Sequence, residues 1–185
     1  MDVFSDNALM QKVKEGDQGK MGLLFERYSR QLFRFMFNMT RQKELSEDLV
    51  QNVFLRLLKY PDSFKGFGEF RTWMYHVARN VLYDHYKKDG KAPVSNDLDD
   101  YEGRLQGDPD PENLMEKKEE LEKLEKAMQL LSVENRELIV MCRFQELRYS
   151  EIATILNTTE GAVKVRVFRA LGQLKTNFLR IEKVG

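Results

Sequence analysis

The chain has 185 residues, 42% hydrophobic and 32% charged, which excludes a wholly disordered polypeptide and leaves room for one or two domains with proper cores. The formal net charge is zero, but residues 1–88 hold 15 Lys+Arg against 11 Asp+Glu, residues 89–113 hold 2 against 8, and residues 114–185 hold 13 against 11, so two mildly basic blocks flank an acidic one. The single cysteine, Cys142, lies in the apolar run Leu138 to Cys142 and cannot form an internal disulfide. No stretch is apolar enough to span a membrane, and Met1-Asp2 leads into an acidic, capped helix rather than a signal peptide; a cytoplasmic protein with no membrane insertion is expected.

In chain order, Ser5 or Asp6 can cap a first short helix with Leu9, Met10 and Val13, ended by Gly16-Asp17. A longer helix carries Met21, Leu24, Phe25, Tyr28, Leu32, Phe35, Met36 and Met39, a core stripe wide enough for more than one neighbour. Ser46 is the expected cap of the next helix, which runs to about Tyr60 before Pro61. Its inner face is Leu45, Leu49, Val50, Val53, Phe54, Leu57 and Leu58. Asp48, Gln51, Asn52, Leu55, Arg56 and Lys59 share the outer face. An isolated exposed Leu55 is ordinary; set in a row of hydrogen-bonding side chains it can also centre a docking surface for another helix.

A turn with Phe64, Lys65, Gly66, Phe67 and Gly68 precedes a helix expected from about Phe70 to Lys88. Phe70, Met74, Val77, Ala78, Val81 and His85 line one side; Thr72, Tyr75, His76, Arg79, Asn80, Tyr83, Tyr86 and Lys87 line the other. Aromatic rings interleaved with cations and an amide suit unstacked bases and a single-strand backbone, and they suit a protein-binding face as well. From Asp89 to Asn113 the periodicity disappears in an acidic stretch rich in Gly, Pro, Asn and Asp. It reads as a flexible linker, whose roughly 25 residues permit a compact or an extended arrangement of what lies on either side.

Asp110-Pro111 gives a cap and a first-turn proline to a helix with Leu114, Leu121, Leu124, Met128 and Leu131, and Ser132 caps another from Val133 to about Phe144. In Tyr149 to Leu174, Ile152, Ala153, Ile155 and Leu156 recur at helical spacing, Asn157-Thr158-Thr159 interrupts, and Val163, Val167, Ala170, Leu171 and Leu174 resume it. Two helices joined by a short turn, with Ser150 and the Thr pair able to cap them, form a helix-turn-helix signature. The second helix turns Gly161, Val165, Phe168, Arg169 and Gly172 outward, flanked by Lys164 and Arg166. That face suits a DNA groove, with cations for phosphates or guanine edges and apolar groups for thymine methyls; it equally describes an amphipathic hairpin in a helical bundle.

The sequences Asp48-Leu49-Val50-Gln51-Asn52-Val53-Phe54, Phe70-Arg71-Thr72-Trp73-Met74-Tyr75-His76-Val77-Ala78-Arg79-Asn80, Tyr149-Ser150-Glu151-Ile152-Ala153 and Gly161 to Leu171, in that order, resemble the extracytoplasmic-function sigma factors, the smallest members of the bacterial sigma-70 family. The resemblance covers nearly the whole chain. It implies an all-α protein of two small domains, an N-terminal helical bundle (residues 1–88) and a C-terminal helix-turn-helix domain (114–185), joined by the acidic linker (89–113). The implied partners are core RNA polymerase, promoter DNA in duplex and single-stranded form, and an anti-sigma factor.

By the same resemblance Asp48, Gln51, Asn52, Leu55 and Arg56 face the polymerase. Phe64, Lys65, Thr72, Trp73, Tyr75, His76, Arg79, Asn80 and Tyr83 serve −10 recognition and opening. Gly161, Lys164, Val165, Arg166, Phe168 and Arg169 serve the −35 element. Asn52 stands where the family often has an acidic residue and Val165 where a small polar one is usual. A free-standing helix-turn-helix regulator is the alternative; it leaves the aromatic-basic helix and the docking row unused. With His76 and His85 the only histidines, no zinc-spaced Cys/His set and no Walker loop, no catalytic residue, metal or cofactor is expected.

Overall fold

The structure, a computed structural model, describes residues 4–90 and 111–184. All regular structure among them is helical: α1 (Asp6–Lys14), α2 (Lys20–Thr40), α3 (Lys43–Lys59), a 3₁₀ turn (Pro61–Ser63), α4 (Phe70–Asp89), α5 (Pro111–Gln129), α6 (Val133–Ile139), a π-helical segment (Val140–Phe144), α7 (Tyr149–Leu156) and α8 (Glu160–Val184). Most of the expected acidic linker, and with it the Asp110 cap, lies outside the described residues; the ends of that stretch belong to α4 and α5.

The N-terminal unit wraps α1, α3 and α4 around the apolar stripe of α2, where Leu24, Leu32, Phe35, Met36 and Met39 are fully buried. Burying a side chain of this size contributes about 1.5–3 kcal/mol, so the long stripe explains why α2 is the hub. Phe25, expected in that stripe, is instead half exposed at its rim and packs on Phe54 with ring centroids 4.8 Å apart. In the C-terminal unit α8 packs against α5, α6 and α7, with Val163, Val167 and Ala170 inward.

Two expected caps differ from those observed. α3 starts at Lys43, before Ser46, which is buried within the helix: its Oγ donates to the Gln42 carbonyl (2.6 Å) and, its one proton so used, accepts from Thr40 Oγ1 (2.9 Å). A hydroxyl that turns back onto the preceding turn satisfies itself inside a helix as readily as at its start. α7 is closed by Glu151, whose carboxylate accepts from the Arg148 backbone N–H (2.7 Å), while Ser150 is exposed. The caps at Ser5, Ser132 and Thr159 form as the sequence predicts, with their hydroxyls accepting from Ala8, Asn135 and Ala162. Asn157 ends α7 in the left-handed region (φ 51°), a conformation asparagine tolerates, and so makes the sharp turn into α8.

The helix expected to run unbroken to Phe144 widens at Val140. The Gln145 N–H returns to the Val140 carbonyl (3.0 Å) and the Leu147 N–H to that of Met141 (3.0 Å). This wider turn, a form common at functional positions, delivers Gln145 against α4.

Candidate nucleic-acid and polymerase interface

On α8 the observed faces follow the period. Gly161, Lys164, Val165, Phe168 and Arg169 are exposed, and Arg166 is half-buried. Phe168 is 80% exposed, a ring that packing among the described residues does not use. A Cβ at Gly161 would meet nothing within 4 Å, so packing among the described residues does not require a glycine there.

On α3 the row Asp48, Gln51, Asn52 and Leu55 is exposed, with Leu55 at 61%. Arg56 is half-buried and bridges to Asp84 of α4 (2.7 Å); this hydrogen bond holds the Asp84 carboxyl below the usual carboxylate range. Beside the row, a cleft of about 330 Å³ opens between α2 and α3, lined by Phe25, Arg30, Phe33, Glu47 and Gln51 among others.

The face of α4 departs most from expectation. Tyr75 is buried: its ring meets Phe35 edge-on at 5.7 Å, within the N-terminal core, and only its hydroxyl points away. Tyr86 is buried too, and Val77 and His85 on the opposite side are half-buried. Phe64, expected in the opening loop, packs against Phe70 and Trp73 at 2% exposure, so its ring belongs to the core. The exposed aromatic of that loop is Phe67, at 93%. Lys65, His76 and Asn80 are exposed, while Thr72, Trp73, Arg79 and Tyr83 are half-buried.

The loop is pinned at its ends and free in its middle. Lys14 Nζ donates to the Phe64 carbonyl (2.9 Å). Asn7 donates to the Gly68 carbonyl (2.9 Å) and accepts from the Phe70 N–H (2.7 Å), capping α4 from another helix. Gly66 and Gly68 take positive φ (76° and 86°) between those anchors, which presents Phe67 to solvent.

Four polar groups of α4, on Arg71, Tyr75, Arg79 and Tyr83, meet the C-terminal unit. Tyr75 Oη donates to Gln145 Oε1 (2.7 Å), and the Arg71 guanidinium donates to the Gln145 carbonyl. Arg79 Nε lies 2.8 Å from Glu137 Oε1 in an ion pair rather than an aligned hydrogen bond, and Tyr83 Oη donates to Glu137 Oε2 (3.0 Å). Burial pushes the Glu137 carboxyl above the usual carboxylate range, opposed by Arg79 and by the Tyr83 hydrogen bond. Burial first, and Glu137 second, also raise the Tyr83 hydroxyl. Where α4 approaches α7, Trp73, Lys65, Phe67 and His76 face Arg148 and Thr154 across a cleft of about 430 Å³.

The sequence compares directly with known families. A model of Sigma-70 region 2 matches residues 24–92 and one of Sigma-70, region 4 matches residues 121–174. The ECF RNA polymerase sigma-E factor of Escherichia coli K12 is 31% identical over 174 residues, covering 90% of this chain and 91% of its own. The chain belongs to the extracytoplasmic-function sigma factors. The RNA polymerase sigma factor YlaC of Bacillus subtilis 168 is 29% identical over 158 residues, covering 85% of this chain and 91% of its own.

Among solved structures, this sigma factor shares its fold with CnrH in complex with the cytosolic domain of CnrY (TM-score 0.69, 22% identity, 92% of this chain and 95% of that one). It likewise matches the sigma factor RpoE of Bartonella quintana in complex with the anti-sigma factor NepR (TM-score 0.66, 23% identity, 84% and 94%).

Four residues of the sigma factor's polar framework escaped sequence reasoning: Asn7, Arg136, Glu137 and Gln145. The only signal for the middle pair was two opposite charges abutting the apolar run Leu138 to Cys142. No helix among the described residues is long and apolar enough to cross a membrane.

Proposed function

We propose that this sigma factor docks on core RNA polymerase through the outer row of α3, reads duplex promoter DNA at the −35 element with α8, and holds the separated −10 strand on the loop after α3 and the outer face of α4. The observation that carries the reading is the outward face of α8, where Lys164, Phe168 and Arg169 stand exposed on a helix whose inner face is fully committed to packing. Phosphate neutralisation by Lys164 and Arg166 positions the helix, while Arg169, Val165 and Phe168 meet base edges and thymine methyls.

In the same reading residues 1–88 act as the polymerase-binding and strand-holding unit, 114–185 as the duplex-binding unit, and 89–113 as the acidic link. The protein performs no catalysis of its own and works in the cytoplasm, where an anti-sigma factor can mask it. Opening draws on binding energy alone. Unstacking costs on the order of a few kcal/mol per flipped base, offset by stacking and hydrogen bonding on Trp73, His76, Asn80 and Phe67.

Arg169→Ala is expected to weaken duplex promoter binding by about 1–3 kcal/mol, the usual worth of one base-reading side chain, measured by fluorescence anisotropy. Asn80→Ala is expected to leave duplex binding unchanged and to reduce the permanganate reactivity of the −10 region in complexes with core polymerase. Equal loss of duplex binding in both variants would contradict this division of labour.

A further inference from the structure

Where the loop after α3 faces α7, the two units enclose the cleft of about 430 Å³, a volume within the range of small-ligand sites. One wall is already fixed. The Trp73 ring is held from behind by Phe64 and Phe70, at centroid distances of 5.2 and 5.9 Å, and turns its remaining surface to the cleft as a stacking platform. Phe67 lines the same cleft with 93% of its surface exposed, between two glycines of positive φ that leave its ring room to close over a planar guest. The opposite wall comes from α7 and the residue before it, through Thr154, Ile155 and Arg148.

The charges suit an anion. Arg148 donates through Nε to Glu151 (3.3 Å) and through Nη2 to Glu69 (3.1 Å), which fixes the guanidinium across the cleft and leaves its Nη1 donors unused among the described residues. On the N-terminal side, the Lys65 and His76 side chains have no ion pair or hydrogen bond among the described residues. Donors on both walls exceed what the two oxygens of a carboxylate can take and match the three of a phosphate.

We propose that this cleft binds a free nucleoside monophosphate, with the base stacked on Trp73 and the phosphate held by Lys65 and Arg148. Half of the site is α7, which strand holding does not use, so the site goes beyond the function given above. Both ligands need Trp73, and a bound nucleotide therefore competes with the separated strand.

Trp73 is the chain's only tryptophan, so its emission reports the site directly. In the full-length chain at least one of AMP, GMP, CMP and UMP is expected to quench it saturably, with half-saturation below about 1 mM. The matching nucleoside, which lacks the charge-assisted bonds of the phosphate, should bind about tenfold more weakly. Thr154→Phe fills the cleft from the α7 side and should weaken the nucleotide by about tenfold through overpacking. Thr154 is exposed, so the variant is expected to fold; should it not, Ser150→Phe obstructs the same wall.

Quenching by no monophosphate, equal binding of nucleoside and nucleotide, or unchanged nucleotide affinity in the folded variant would each overturn the proposal. An oligothymidylate separates it from strand holding. A response of Trp73 to the oligonucleotide but to no monophosphate keeps the strand-holding role and removes this site; the converse result does the opposite.

Discussion

Replacing Arg136 with methionine is expected to cost the folded chain about 3 kcal/mol, although its guanidinium hydrogen-bonds to none of the residues assigned to a partner. Its guanidinium is buried at 2% exposure and surrounded by carbonyls. It donates to Met128 (3.1 Å), Gln129 (2.9 Å) and Leu131 (3.3 Å) around the end of α5, and to Met39 (3.2 Å) in the last turn of α2. The final carbonyls of a helix have no partner within it and carry the negative end of its dipole, so one cation closes two helix termini from different units.

Burial pulls the Arg136 pKa below its ordinary value; the carbonyl cage supplies the compensating bonds. Methionine keeps much of the volume and leaves those carbonyls facing an apolar group, at about 1–3 kcal/mol for each that water does not reach. Urea denaturation followed by circular dichroism measures the loss. Arg143→Met, on an exposed residue a few positions later, is expected to stay within about 0.5 kcal/mol of wild type. Equal effects at the two sites would show that the cage contributes nothing.

The second large effect is expected in assembly rather than folding. Leu55→Asp should weaken binding to core polymerase by about 2 kcal/mol or more, roughly 30-fold, because it places a charge at the apolar centre of a polar-rimmed docking row. Leu55 is 61% exposed, so thermal stability should not move. Competition against a labelled sigma factor for limiting core polymerase gives the affinity. Wild-type competition by Leu55→Asp would place the docking surface elsewhere, the cleft lined by Phe25 and Phe33 being the next surface to test.

Helix positions, the two-unit all-α organisation and the inward and outward faces of α3 and α8 were legible because each is written in a local period. Leu49, Val53 and Leu57, or Val163, Val167 and Ala170, recur at the spacing of one helical face, and no distant residue alters that pattern. The face of α4 was misread for a physical reason. Periodicity separates a helix's core stripe from the remainder, but it cannot say which part of the remainder a distant segment will cover: Tyr83 meets Glu137 at a separation of 54 and Tyr75 meets Gln145 at 70. Tyrosine adds to the ambiguity, since its ring suits a core and its hydroxyl an interface. Phe64 and Phe67 are alike in sequence and opposite in burial, because anchoring by Lys14 and Asn7 fixes the ends of their loop. The π segment leaves no trace in composition, yet it brings Gln145 to α4.

The central claim, that this chain directs polymerase to promoters, is tested most directly by run-off transcription from a genomic promoter library with bacterial core polymerase, adding or omitting the protein. Protein-dependent starts that share paired upstream elements are the predicted result. No such starts, together with specific duplex binding by the protein alone, would contradict the account and identify a free-standing helix-turn-helix regulator instead.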